Sequence, residues 1–369
     1  MNILYLMFHG FSESSGISKK VKYQIDALKT CGATVRLCYL DDNQGHQRQM
    51  IDDEILKDYG ISLKGKLKRL TDYSALYHYI EKNKIDLLYV RSLHNASPFL
   101  TSFFRKLKKR GVKVLLEIPT YPYDEEYKGT VLEMRFRLLI DKCFRKSMAK
   151  QLYRILTYSD HKRIWNVPTI NISNGIDFNA VRIKKERSRV PNTLNLIGVA
   201  EIHSWHGFDR LIWGLVEYYK TPQEVKVYFD LIGEYGPFTE SYQKIVDEYN
   251  LQPYVRMHGC QYGEALDEYF DNADMGVASL ARHRSGITKI KTLKSREYAA
   301  RGIPFIYSEI DDDFEQMSFI KKIPPNEDPV DIQSLIDFYN SVKLSPDQIR
   351  DSIKHLSWEN QMRKMLSLI

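Results

Sequence analysis

The stretch Ser279-Leu-Ala-Arg-His-Arg284-Ser-Gly286-Ile-Thr288-Lys-Ile-Lys-Thr-Leu-Lys294-Ser-Arg-Glu297-Tyr-Ala-Ala-Arg-Gly302-Ile-Pro304 decides how the rest of the chain is read. Its second half, Thr288 to Arg301, predicts one helix, with Thr288 as N-cap and Gly302 and Pro304 as the stop. The loop ahead of it holds His283, Arg284 and Gly286 and runs into the positive end of that helix. Free backbone N–H groups, a helix dipole and a guanidinium at one point make an anion site matched to phosphate. Glu297 follows Lys294 by three residues, so both share a face. The competing reading is a solvated basic helix with a Glu–Lys pair.

Working outward, short apolar runs alternate with helix-period segments along the whole chain. Residues 2–8 read as a buried strand, and the Gly- and Ser-rich loop from Gly10 to Gly16 follows, holding Ser14 and Ser15. Val21, Ile25 and Leu28 mark a helix, and Thr34 to Tyr39 a second strand. That order is a βαβ unit without the G-x-G-x-x-G dinucleotide fingerprint. Residues 41–60 read as polar and irregular, and 62–83, 99–110 and 130–152 as helices. Residues 86–91, 112–118, 153–158 and 169–172 read as strands. A charged, proline-bearing segment at 181–192 reads as a linker. A second series then begins, with strands at 194–199, 225–232, 255–258, 275–278 and 305–307 and helices near 207–220, 238–250, 263–272 and 288–301. Two α/β halves of similar size predict two parallel sheets and a cleft between them.

Several turns add to the opening stretch. Asn174-Gly-Ile-Asp177 precedes the linker. Glu201-Ile-His203-Ser-Trp205-His206-Gly207-Phe-Asp209-Arg210 joins a strand's carboxyl end to a helix's amino end, as a phosphate-bearing ligand requires. Gly233 and His258-Gly259 repeat the strand-to-Gly pattern. His203 and His206 have no third ligand nearby, so no metal is expected. In the first half, Glu117, Thr120, Tyr121, Tyr123, Asp124 and Glu125 follow a strand end and suit a hydroxylated acceptor.

Bulk numbers narrow the classes. A length of 369 residues suggests two domains, and a net charge of +7 favours anionic partners. Four cysteines without CxxC spacing read as reduced thiols in a cytosolic protein. The N-terminus lacks a signal-peptide pattern, and no long apolar run spans a membrane. Basic runs at 64–69, 105–110 and 135–150 interleave with Phe103, Phe104, Leu107, Phe136, Leu138, Leu139 and Phe144, which suits an anionic membrane surface. No nucleic-acid module appears.

In order, the Gly16 loop, Asn174-Gly-Ile-Asp177, His206-Gly-Phe-Asp-Arg-Leu-Ile212, Gly233, His258-Gly259 and Lys294-Ser-Arg-Glu-Tyr-Ala-Ala-Arg-Gly-Ile-Pro304 resemble retaining glycosyltransferases of family 4, which have the GT-B fold. The last motif with Ser279-Leu-Ala-Arg-His-Arg284 resembles the subset found in capsular and exopolysaccharide gene clusters. The resemblance covers nearly the whole chain. It implies two Rossmann-like parallel-sheet domains facing a central cleft, with a C-terminal helix crossing back to the first. The expected boundaries are an acceptor domain at 1–180, a linker at 181–192, a nucleotide-sugar domain at 193–344 and C-terminal helices at 345–369.

It further implies a donor, UDP-linked, and transfer with retention to a saccharide, polyprenyl-diphosphate-linked, at the inner face of the plasma membrane. Glu297 matches the family glutamate that binds the ribose. No cofactor is implied, the nucleotide sugar being a substrate. Four positions depart from the pattern. Lys289 stands where a glutamate is usual and His206 where a lysine is usual. Ala200 and Glu201 replace an arginine, and the family histidine is missing near Glu117 to Thr120. The catalytic candidates are therefore His206, Arg284 and Lys294 as positive groups, with Glu117 and Asp124 on the acceptor side. The donor-binding set is Gly16, Asn174, Glu201, His206, Arg210, Gly233, His283, Arg284, Gly286, Lys294 and Glu297. Rival readings are a GT-B sugar-nucleotide 2-epimerase and a non-catalytic sugar-nucleotide-binding protein.

Overall fold

The computed structural model describes residues 1–11, 16–127, 131–188 and 190–369, except the side chains of Glu125 and Glu126. Ser14 and Ser15, Thr130, Arg189 and the Glu125 side chain thus lie outside the described residues. The chain forms two compact units: Met1–Ser173 with Trp358–Ile369, and Asn174–Ser357.

The first unit runs β1 (Asn2–Leu6), α1 (Gly16–Thr30), β2 (Thr34–Asn43), β3 (His46–Ile51), β4 (Glu54–Gly60), α2 (Leu63–Thr71), α3 (Ser74–Lys82), β5 (Leu87–Arg91), α4 (Pro98–Lys109), β6 (Lys113–Ile118), α5 (Leu132–Ala149), β7 (Arg154–Thr157), β8 (Arg163–Ile164) and β9 (Val167–Asn171). Its sheet has the order β4-β3-β2-β1-β5-β6-β7-β9-β8. The strands from β2 to β9 in that order are parallel, and their inner members are continuous apolar runs buried on both faces.

Two expectations are corrected here. Residues 41–60 are not irregular: β2, β3 and β4 form an antiparallel meander turned at Gln44-Gly45 and at Asp52, where φ is positive. The expected helix at 62–83 is two helices, parted at Asp72 and Tyr73, and Asp72 turns its carboxylate to Lys57 and the Ser74 amide.

The second unit runs β10 (Thr193–Val199), α6 (Phe208–Tyr218), β11 (Lys226–Ile232), α7 (Pro237–Glu248), β12 (Val255–Met257), α8 (Gly263–Asn272), β13 (Met275–Val277), α9 (Leu293–Ala300), β14 (Phe305–Tyr307), β15 (Ile320–Lys322), α10 (Ile332–Ser341) and α11 (Pro346–Ser352). All its strands are parallel, in the order β12-β11-β10-β13-β14-β15. This is the doubly wound order 3-2-1-4-5-6, whose switch point lies between β10 and β13.

The segment expected as a linker is laid down on this unit. Arg182 pairs with Asp267 and Asp271, and Lys184 Nζ donates to the Ala273 carbonyl at 2.5 Å. β15 and α10 were not anticipated. α12 (Trp358–Leu366) returns to the first unit, where Trp358, Met362 and Met365 pack with Val21, Ile25 and Leu28 of α1.

α9 is shorter than its sequence suggested. Thr292, not Thr288, caps it, its Oγ1 accepting from the Ser295 amide. Thr288 to Ile290 are extended instead. The Ile310 amide donates to the Thr288 carbonyl at 2.8 Å, and the Ile290 amide donates to the Ile310 carbonyl at 3.1 Å. Two β-branched residues in a three-residue run favour that conformation. Lys289 consequently points at Asp312, 2.8 Å away.

Candidate functional site

The switch point of the second sheet is closed by loops that leave β10 and β13. After β10 the chain makes one turn at Ser204–His206 and reverses at Gly207, whose φ is +62°. A Cβ on Gly207 would sit 2.7 Å from the Ala281 Cβ, so only glycine lets the two loops touch. They then zip together: the Leu280 amide donates to the His206 carbonyl at 2.8 Å, and the Ala281 amide to Trp205 at 3.2 Å. Trp205 stacks on His203, with the Arg282 guanidinium 5.5 Å from its ring centre. Below this rim lies α9. Its Tyr298 hydroxyl donates to the Val277 carbonyl at 3.0 Å and accepts from the Val199 amide at 3.3 Å, holding the helix over both strand ends.

Buried polar atoms without partners gather at the amino end of α9. Lys294 Nζ is inaccessible to water and donates to none of the described residues. Burial pushes its pKa down to about 7, although Glu309 pulls it upward. Glu309, two residues beyond β14, is fully buried, and its Oε2 accepts from none of the described residues. Burial pushes its pKa up to about 7. Arg282 stands near enough to lower both. Asn174 gives Nδ2 to the Lys291 carbonyl at 2.5 Å, but its buried Oδ1 accepts from none of the described residues. His283 likewise gives Nε2 to Glu327, and its buried Nδ1 has no hydrogen-bond partner among the described residues. Each such atom costs about 1–3 kcal/mol, and native interiors hold few. Three of them, on Lys294, Glu309 and Asn174, border the start of α9 at the carboxyl edge of a doubly wound sheet, where such folds bind ligands.

Several assigned roles change. His206 is not a cation. Its Nδ1 accepts from the His203 amide at 3.0 Å, which leaves the proton on Nε2, and burial, then Lys294, holds the ring neutral. Arg284 has no donor left for a phosphate. It binds both oxygens of Asp209, both of Glu327 and the Ser204 carbonyl. Arg210 is buried and spends its guanidinium on the Asp328, Leu280 and Pro324 carbonyls and on Asn326. Glu201 is exposed and faces His203. Gly233 donates its amide to the Gly259 carbonyl at 3.0 Å, locking two strand-end turns. Gly286 closes the turn at Arg282–Ser285 with φ +69°. Glu297 accepts both Arg301 bonds on Oε1, at 2.9 and 3.1 Å, so Oε2 stays uncommitted. Arg282 and Glu309, which neighbour Lys294, were not among the sequence candidates. Glu309 had one signal, a carboxylate just past a buried strand.

In the first unit, Glu117 is no acceptor base. It is fully buried at the end of β6 and takes bonds from Tyr89 (2.6 Å), Arg91 (2.8 Å), Tyr158 (2.9 Å), Gln24 (3.2 Å) and Tyr5 (3.3 Å), with Lys20 Nζ at 3.3 Å. Burial alone would raise its pKa; Lys20 and Arg91 outweigh it and hold the carboxyl at about 2. Asp124 is committed to Arg145 at 2.8 Å and Lys142 at 3.1 Å, which keep its pKa low. Gly16 opens α1 with open space around it.

What the first unit does offer is a cavity of about 370 Å³ at the carboxyl ends of β1, β5 and β6, lined by His9, Arg91, His94, Thr120, Tyr127 and Arg137. His94 stacks on Tyr123 at 3.7 Å and meets the Tyr127 hydroxyl at 2.7 Å; burial lowers its pKa to about 4. Of the three basic runs, 105–110 presents charge only, because Phe103, Phe104 and Leu107 are core. No helix among the described residues is long and apolar enough to cross a membrane.

No family model matches the chain, and no curated protein matches it in sequence. Solved structures do match. The chain is similar to sucrose-phosphate synthase from Thermosynechococcus elongatus (16% identity, TM-score 0.69, covering 100% of this chain and 98% of that one). It is similar to a glycosyltransferase from Rickettsia africae (14%, 0.64, 100% and 97%). It is also similar to Anabaena HepE in complex with UDP and glucose (13%, 0.62, 100% and 100%). The shared feature is the fold, two Rossmann-like parallel-sheet units of the GT-B type.

Proposed function

We propose that the protein is a retaining glycosyltransferase that takes a sugar from a UDP-linked donor and passes it to a lipid-linked saccharide in surface polysaccharide synthesis. The observation that carries this reading is the set of unmatched buried groups around the start of α9: Lys294 Nζ, Glu309 Oε2 and Asn174 Oδ1. The HepE structure, which shares the fold, holds UDP and glucose.

Lys294 and the positive amino end of α9 take the diphosphate, and Glu297 Oε2 takes the ribose hydroxyls. His206 offers a neutral N–H rather than a charge. In the transfer, the bond between the anomeric carbon and the diphosphate oxygen breaks, and the acceptor oxygen bonds to that carbon from the same face. The acceptor's proton passes to the departing diphosphate. Lys294, protonated once the anion is bound, stabilises the charge that develops there. Asp124 and Glu117 take no part, and the acceptor hydroxyl lies with the first unit's polar cavity. Membrane attachment is peripheral, on the cytoplasmic face, through the basic runs that also expose apolar side chains, 64–69 and 135–150.

A second reading, a protein that binds sugar nucleotide without transferring it, draws on the occupied Arg284 and on Lys289 paired with Asp312. A panel of sugar nucleotides tests both. The transferase reading expects one donor to raise the melting temperature and to be hydrolysed slowly. Binding without turnover, with or without added acceptor extracts, selects the second reading. If no sugar nucleotide shifts the melting curve, both are wrong.

A further inference from the structure

We infer that the first unit carries a site for a single-chain lipid phosphate, its hydrocarbon in one apolar cavity and its polar head in the adjoining one, with Arg137 at the junction. The inference deepens the transferase reading and rests on it only for the saccharide carried by the head.

The starting observation is a pair of helices facing the wrong way. α2 is capped by Ser62 and buries only Gly65. A Cβ on Gly65 would lie 1.8 Å from the Tyr59 carbonyl oxygen, so the helix rests on the end of β4 by its backbone. Its apolar stripe Leu63, Leu67 and Leu70, at i, i+4 and i+7, is exposed, Leu63 by 84%. On α5 the stripe Leu132, Phe136 and Leu139 repeats the spacing and is also exposed, Leu132 by 79%. A surface helix normally turns such a stripe to the core. Exposed apolar area of this extent marks a binding surface.

One cavity takes part of its wall from each of the two helices. Leu67 and Leu70 from α2, Phe136 and Ile140 from α5, and Phe8 and Phe99 wall a space of about 660 Å³. That size lies within the roughly 300–1,000 Å³ of pockets that hold small organic ligands. Charge chooses the occupant. α2 carries Lys64, Lys66, Lys68 and Arg69 and no acidic residue. Glu133 is the one carboxylate lining the cavity among the described residues. Arg69 Nε is buried there and donates to none of them. Arg137 donates Nη2 to the Leu93 carbonyl at 2.6 Å and lies close enough to Arg69 to feel its charge. Two guanidiniums on the wall of one largely apolar cavity call for an anion there.

The second cavity fixes the direction of the ligand. Arg137 and Leu93 also line the polar cavity at the ends of β1, β5 and β6. An amphiphile therefore finds apolar wall, then Arg69 and Arg137, then His9, Arg91, His94 and Thr120, in that order.

Dodecyl phosphate below its micelle concentration is the probe, with inorganic phosphate and dodecyl maltoside as the headgroup-only and neutral-chain arms. Calorimetry on the full chain should show dodecyl phosphate binding at least roughly tenfold tighter than either. Phe136→Asp and Leu67→Asp alter exposed positions and should each weaken that binding by roughly tenfold or more, with the UDP-induced melting shift unchanged. Arg137→Gln should erase the preference for dodecyl phosphate over dodecyl maltoside. The site is overturned if dodecyl phosphate does not bind, or if wild type and both aspartate variants bind it alike. It is overturned too if Phe136→Asp abolishes a self-dimer that dodecyl phosphate does not dissociate, because the stripes are then an interface between copies. A protein that binds dodecyl phosphate but no sugar nucleotide would sink the transferase reading and leave this one standing.

Discussion

Glu117 and Glu309 make an instructive pair. Each is a fully buried carboxylate at the carboxyl end of a strand in a Rossmann-like sheet, where ligands bind in such folds. Around Glu117 six side chains converge, from β1, α1, β5 and the end of β7, and two of them are cations. Around Glu309 there is a Thr292 hydroxyl at 3.5 Å, and its Oε2 accepts from none of the described residues. The Glu117 carboxylate is fully matched and has nothing left to offer a substrate. The second is incomplete, and its cost is compensated only when something binds. Position at a strand end nominates a residue; unspent hydrogen-bonding capacity selects it.

The same isosteric change should separate them most widely. Glu117→Gln leaves Lys20 and Arg91 buried without their counter-charge and should cost about 3–5 kcal/mol in urea unfolding. Glu309→Gln should cost less than about 1 kcal/mol or stabilise, because it removes a poorly solvated acid. Equal losses would erase the distinction.

Next in size is Lys294→Met. It should weaken UDP binding by roughly tenfold or more by calorimetry while raising the melting temperature of the unliganded protein. A variant that binds UDP as wild type does would remove Lys294 from the site.

The pH dependence of stability gives a third test. Glu117, held at about 2 against an unfolded value near 4.5, stabilises the fold above pH 4.5 and loses that contribution as pH falls toward 2. Glu309 behaves in the opposite sense. Raised to about 7, it binds its proton in the folded state first, so its contribution declines as pH rises from about 4.5 to 7. Lys294 is lowered to about 7, so the unfolded chain binds more protons between 7 and about 10.4, and stability rises with pH across that window. Wild type should therefore show a dip in stability near pH 7 that the double variant Lys294→Met, Glu309→Gln lacks. UDP binding, which keeps Lys294 protonated, should weaken as pH rises above 7. Calorimetry in buffers of different ionisation enthalpy should show proton uptake there.

The smallest effect belongs to Arg284→Lys, which breaks the forked pairing with Asp209 and Glu327 at a partly exposed site. A loss of about 1 kcal/mol in stability and a change in UDP affinity within a few-fold are expected. A large affinity loss would return Arg284 to the phosphate.

The fold was legible because buried parallel strands are written as short apolar runs, and β1, β5, β6, β10 and β11 all have them. The β2–β4 meander was not, because its residues are largely polar and its turns rest on positive φ at Gln44, Gly45 and Asp52. The start of α9 was misplaced because Thr288 and Thr292 are both acceptable caps, and the choice is made by Ile310, distant in sequence. For the polar residues of the loops, the sequence offered their type but not how they spend their hydrogen bonds. Arg284 looked free because its partners Asp209 and Glu327 lie 75 and 43 residues off in sequence. Glu117 looked reactive because Tyr5, Gln24, Tyr89 and Tyr158 are indistinguishable in sequence from ordinary core residues.

One feature of the chain path bears on how the molecule is made. The first unit is written in two pieces, with Asn174–Ser357 inserted between them, and the ends of the insert meet where the Ile176 amide donates to the Leu356 carbonyl at 3.0 Å. During translation the whole second unit emerges before Trp358, Met362 and Met365 are available to cover Val21, Ile25 and Leu28. The unit begun first is thus finished last. Until then α1 shows an uncovered apolar face on the ribosome, where holdase chaperones have their opportunity to act.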